Sequence, residues 1–103
     1  MTEEKIEIVR GSGNVYADMG DPDADTKQMK AFLAAEIIAV LDRRHLTVRA
    51  AAEVTGVTPS DVSNIRNAHL GKFTIDRLVR VLNRLDRKVT VTVKKVRHGT
   101  VAA

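Results

Sequence analysis

Apolar positions follow two different periods along the chain. Met29, Phe32, Leu33, Ile37, Val40 and Leu41 recur at steps of three and four. That spacing predicts one helix of about five turns with a single apolar stripe. Its start is predicted at Asp21, which can accept from free backbone amides. Pro22 would then take the first helical position, and Asp23 and Asp25 would sit at the positive end of the helix dipole. Asp42, Arg43, Arg44 and His45 close it, with cations where the dipole favours them. A second, shorter helix follows, with Thr47 as N-cap, Val48 to Thr55 as body and Gly56 as stop. Thr58 caps a third helix, with Pro59 first, Asp61 third, and Val62 and Ile65 turned inward. Residues 68–73 read as a loop. Thr74 caps a fourth helix, striped by Ile75, Leu78, Val79, Leu82 and Leu85, with Arg77, Arg80, Arg84 and Arg87 on its other surface.

The period then drops to two. Lys88-Val89-Thr90-Val91-Thr92-Val93-Lys94 puts valines on one face and Thr or Lys on the other, which predicts a half-buried strand. Residues 5–10 alternate more weakly and form a second candidate strand, followed by a turn at Gly11–Asn14. A strand needs a partner for its ladder groups. Two partners are available: residues 5–10 of the same chain, or the same strand of a second molecule in a two-fold dimer.

The stretch Leu46–Asn67 is the most informative. It predicts two short helices meeting across a tight turn at Gly56. Small residues, Ala51 and Ala52, stand where the first helix must touch the second, and Val57, Val62 and Ile65 are spaced to fill the corner. This is the pattern of a helix-turn-helix unit. Its second helix would expose Ser60, Asp61, Ser63, Asn64 and Asn67, polar groups suited to base edges or phosphates. A generic helical corner would need neither the caps nor that polar outer face.

The same residues resemble the Xre-type, lambda-repressor-like helix-turn-helix regulators over roughly residues 28–86. The matching positions are Leu46-Thr47, Ala51-Ala52, Gly56-Val57-Thr58 and Ser63-Asn64-Ile65. A narrower, HigA-like antitoxin subgroup is similar at both ends. It matches Gly13-Asn14-Val15-Tyr16-Ala17-Asp18-Met19-Gly20 and the helix and Val-rich strand from Phe73 to Val93. The resemblance implies a dimeric repressor of double-stranded DNA that also neutralises a RelE/HigB-like toxin; a phage-type repressor with no toxin fits the motif equally. Carried over residue by residue, it implies Ser60 and Asn64 as base readers and Thr58 and Asn67 as phosphate contacts. Thr47, Pro59 and Ser63 border them, and Arg49, Arg66, His69 and Lys72 supply positive charge. Val48 and Pro59 stand where many members carry Gln, so those two contacts are lost here. Asp61 is unfavourable near phosphate unless it caps its helix or accepts from a cytosine amino group.

Charge sharpens this picture. Residues 1–42 carry 4 basic and 9 acidic side chains, a balance of −5; residues 43–103 carry 13 and 4, a balance of +9. A basic segment after an acidic one points to a polyanion-binding face, and the acidic part would suit a basic partner. Tyr16, Phe32 and Phe73 are the only aromatic residues, too few for single-strand binding by stacking. With 103 residues, a monomer buries only about two-thirds of its unfolded surface, so a second chain would add useful burial.

Enzymatic chemistry is not expected. There is no cysteine, which excludes disulfides, thiolate metal sites and cysteine nucleophiles, and fits a reducing, cytoplasmic setting. Asp21, Asp23 and Asp25 have the opening spacing of a calcium loop. Thr26 replaces its glycine and Phe32 its closing glutamate, so no calcium site is expected. Gly11-Ser12-Gly13 is too short for a dinucleotide fingerprint. His45, His69 and His98 have no ligand-like spacing. Ser60 and Ser63 are explained as groove residues, not nucleophiles. No apolar run approaches the length of a membrane span, and the acidic opening MTEEKIEIVR is no secretion signal. The expected architecture is mainly α: a lambda-repressor-like bundle of four to five helices with a C-terminal strand. Residues 1–20 form an extension, 21–87 the helix-turn-helix domain, 88–97 a dimerisation strand and 98–103 a frayed tail. No metal and no small-molecule cofactor is expected.

Overall fold

The structure, a computed structural model, describes the backbone of residues 5–9 and the whole of residues 22–95. Its elements in chain order are strand β1 (Lys5–Val9), helices α1 (Ala24–Arg43), α2 (Val48–Thr55), α3 (Pro59–Arg66) and α4 (Ile75–Arg84), and strand β2 (Lys88–Thr92). The expected turn at Gly11–Asn14 and the tail from His98 lie outside the described residues.

Helix α1 is the platform of the core. Of the predicted stripe, Leu33, Ile37, Val40 and Leu41 are buried and Met29 and Phe32 are half-buried; Ala34, outside that stripe, is buried with them. They meet Leu78, Val81, Leu82 and Leu85 from α4 and Val62 and Ile65 from α3 in one cluster. Val81 is a core residue that the predicted stripe leaves out, whereas Ile75 and Val79 are only partly buried. Phe73 is fully buried although it stands in a connecting loop. Burying such a side chain contributes roughly 1.5–3 kcal/mol, so this loop is held to the core by its own anchor.

The start of α1 differs from expectation. The first helical bond runs from the Lys27 N–H to the Asp23 carbonyl at 2.9 Å, so Asp23 is the cap residue and Pro22 lies in the preceding turn. Asp23 makes no side-chain cap bond, and Asp25 remains as the acidic group of the first turn. Three aspartates at alternate positions offer nearly equivalent starts, and the predicted Asp21 start lies two residues too early.

Helices α1, α3 and α4 end in the same way. His45, Ala68 and Asp86 adopt positive φ, at 56°, 59° and 61°. In each case that residue's N–H and the next one reach back to the last turn. The pairs are His45 to Asp42 with Leu46 to Leu41, Ala68 to Ile65 with His69 to Asn64, and Asp86 to Asn83 with Arg87 to Leu82. This is the Schellman arrangement, which satisfies otherwise orphaned carbonyls. Asp tolerates the left-handed region through local hydrogen bonding, but Ala pays for it sterically. Arg44 ties two of these ends together. Its Nη2 donates to the Leu85 carbonyl at 2.7 Å and lies 3.5 Å from Asp86 Oδ2.

β1 and β2 pair in parallel, from Lys5 opposite Lys88 to Val9 opposite Thr92. Of the two candidate partners, the structure uses the one in the same chain. The ladder stops at Thr92, short of both the predicted Lys94 and residue 97. The predicted valine face is also uneven. Val89 packs against the core, but Val91 and Val93 are 47% and 72% exposed. The helical core reaches only the first turn of residues after α4, so the later valines extend past it.

Ala68→Gly removes the steric cost of a left-handed alanine while loosening the unfolded chain. The net expectation is stabilisation by about 0.5–1 kcal/mol, read as a higher urea midpoint with an unchanged slope.

Candidate nucleic-acid interface

Threonine hydroxyls set where each of the three later helices begins. Thr47 Oγ1 accepts from the Ala50 N–H at 3.1 Å, Thr58 Oγ1 from Asp61 N–H at 3.0 Å, and Thr74 Oγ1 from Arg77 N–H at 3.3 Å. Each cap is worth about 1 kcal/mol, a large fraction for helices this short. Pro59 stands first in α3, where its missing N–H costs nothing.

The corner between α2 and α3 turns at Gly56, whose φ of 78° is left-handed and whose N–H closes on the Ala52 carbonyl at 2.8 Å. Ala51 and Ala52 are buried on the α2 side, and Val62 and Ile65 on the α3 side. Small side chains on α2 let the larger ones of α3 approach without a void. Thr55 is the buried polar residue of this corner, and its hydroxyl donates to the Ala51 carbonyl at 2.7 Å.

With Val62 and Ile65 sealed inside, the opposite side of α3 faces outward. Pro59, Ser60 and Asn67 are exposed, and Ser63 and Asn64 are half-buried. Thr47 and Arg49 at the start of α2, Thr58 before α3, and His69 and Lys72 beyond it are exposed as well.

Residues 15–94 match a family described as a helix-turn-helix domain. A solved structure described as an XRE-family transcriptional regulator has the same fold with a TM-score of 0.69. The two chains are 39% identical over 80% of this chain and 92% of that one. No curated protein matches the chain.

The chain belongs to the XRE-type helix-turn-helix family.

Two of the expected site residues in this XRE-type domain are engaged by other helices. Arg66, half-buried on α3, holds Asp42 of α1 at 3.0 Å. Asp61 Oδ2 accepts from Arg77 Nη2 of α4 at 3.2 Å. Arg77 also lies over the Phe73 ring, 4.7 Å from its centroid, in a cation–π contact. The sequence shows Arg77 only as one of a helical series of arginines. The aromatic four residues before it is the local signal for the stacking; nothing local signals the bond to Asp61. The same series divides further. Arg80 pairs with Asp76 one turn away at 3.3 Å, and the Arg84 guanidinium lies beside Gly56, 3.8 Å from where a Cβ would stand.

Among the described residues no group of carboxylates and histidines could hold a metal ion, and no helix is long and apolar enough to cross a membrane. The segment Gly13–Gly20, half of the HigA-like resemblance, lies outside the described residues.

The Asp76 carboxyl is held below its ordinary value, first by a hydrogen bond from the Thr74 hydroxyl and also by Arg80 and backbone amides. A lowered folded-state value means this group favours folding above the ordinary aspartate range. That contribution is lost as pH falls through the folded-state value. Thr74→Ala is expected to move the Asp76 titration upward, as read by carboxyl-carbon NMR between pH 2 and 6, a range set by about two units either side of ordinary aspartate.

Proposed function

We propose that this protein is a cytoplasmic DNA-binding transcriptional repressor that acts without cofactor or catalysis. The observation that carries this reading is the polar, outward face of α3, set on a helix-turn-helix corner whose inner face is sealed by Val62 and Ile65. A helix presented in that way fits a major groove. In this reading Ser60 and Asn64 read base edges. Pro59 and Ser63 pack along the groove wall, and Thr47, Thr58 and Asn67 hold phosphates. Arg49, Lys72 and His69 supply the sequence-independent attraction. Arg66 contributes from beneath, through its hold on α1.

The same reading includes a two-fold dimer on a palindromic operator, with recognition helices about 34 Å apart. What supports it is the outer part of β2. Val91 and Val93 are exposed beside a strand that pairs, among the described residues, along one edge only. A two-stranded sheet is marginal by itself, and a second β2 laid along the free edge would pair its open backbone groups and set the partner's valines beside Val91.

A second reading, favoured by the −5 balance of residues 1–42, makes the protein the antitoxin of a basic RelE/HigB-like toxin. It is compatible with DNA binding. A small basic reading frame beside the gene, and its product co-purifying with this chain, is the outcome it requires.

Selection of bound duplexes from a random pool at physiological salt tests the main reading; recovery of no shared sequence would overturn it. Asn64→Ala is expected to relax preference at one operator position by about 1–3 kcal/mol. By contrast, Lys72→Ala should weaken operator and random DNA alike and lower the salt slope by about one. Val91→Lys is expected to turn a dimer at micromolar concentration into a monomer in sedimentation, with the helical content unchanged.

A further inference from the structure

Helix α3 carries two ionised side chains, Asp61 and Arg66. Asp61 stands third in the helix, next to Ser60, in the turn that would enter the groove first. A carboxylate there would meet the phosphate wall and oppose binding. It would also leave unused the attraction that flanking cations create. Its side chain is 24% exposed, and its Oδ2 is held by Arg77.

Arg77 is well built for that task. Thr74 fixes its backbone N–H, the buried Phe73 ring forms a plate beneath its guanidinium, and one Nη2 reaches across to Asp61. Apart from Asp61 itself, its position is therefore set from two sides, by Phe73 and Thr74 in the loop before α4. The pair is partly buried, so solvent ions screen it less than an exposed pair.

We propose that Arg77 is a positioning residue for DNA recognition: by holding Asp61 it cancels the one negative charge on α3 and turns that carboxylate away from the duplex. This deepens the DNA-binding reading and rests on it. Asp61 then reads no base, and the groove-facing surface of α3 is neutral and polar, with positive charge on its flanks at Arg49 and Lys72.

The test is a double-mutant cycle on the full chain. Affinity for a selected operator and for random duplex is measured across a salt series. Arg77→Gln is expected to weaken both by about tenfold or more, most at low salt, because it frees the Asp61 charge. Asp61→Asn alone should tighten both several-fold. The pair of changes together should return affinity to near wild type, although the ion pair is still missing. Arg77→Lys, which keeps the charge, should fall between wild type and Arg77→Gln. A merely structural role predicts the opposite order, with the double variant no better than Arg77→Gln. That result overturns the proposal, as does wild-type affinity in Arg77→Gln. A loss of affinity in Asp61→Asn confined to one operator position also overturns it, since Asp61 would then be a base reader. If Arg77→Gln melts too low to assay, tightening by Asp61→Asn decides alone. Wild-type protein that binds no duplex would instead defeat the DNA-binding reading itself.

Discussion

The corner at Gly56 is the contact from which the rest of the molecule takes its geometry. Helices α2 and α3 are eight residues each, too short to persist in water without support. They exist because threonines close their open ends and because Ala51 and Ala52 admit Val62 and Ile65 at close range. A larger residue on α2 would push the two rods apart. A residue with a side chain at the left-handed turn would carry a steric cost of about 1–2 kcal/mol before any clash was counted. The direction of α3, and so of Ser60 and Asn64, is a consequence of that packing.

Much of this was readable from neighbouring residues because it is locally encoded. The starts of α2, α3 and α4 follow from Thr47, Thr58 and Thr74, and the end of α2 from Gly56, each acting within four positions of itself, whereas the ends of α3 and α4 at Ala68 and Asp86 carry no such local signal. The outward face of α3 follows from the inward spacing of Val62 and Ile65. What could not be read depends on partners distant along the chain. Phe73 sits outside any periodic run, so only the assembled core shows it as buried. Asp61 and Arg77 belong to different helices, and their bond needs both helices to be in place. The exposure of Val91 and Val93 depends on how far the helical core extends, which alternation alone does not report.

Charge is organised by the same division. Along the chain it looks like an acidic part followed by a basic one. In the fold, several of the basic residues are spent on internal ties: Arg44 on Leu85 and Asp86, Arg66 on Asp42, Arg77 on Asp61. These ties join helices α1, α3 and α4 around the core. The arginines therefore serve first as fasteners between helices, and a count of positive charges overstates what is available to a polyanion.

The parallel register of β1 with β2 joins the first described element to the last. Parallel strands require a crossover, and here the crossover is the entire helical body. Contacts between such remote stretches form late, after the entropy of closing so long a loop has been met. The helices can therefore condense first and the sheet zip up afterwards. In reverse, parting β1 from β2 leaves the contacts of the helical cluster in place. A mechanical pull on β1 would open the molecule at this seam, while the helices kept their own packing.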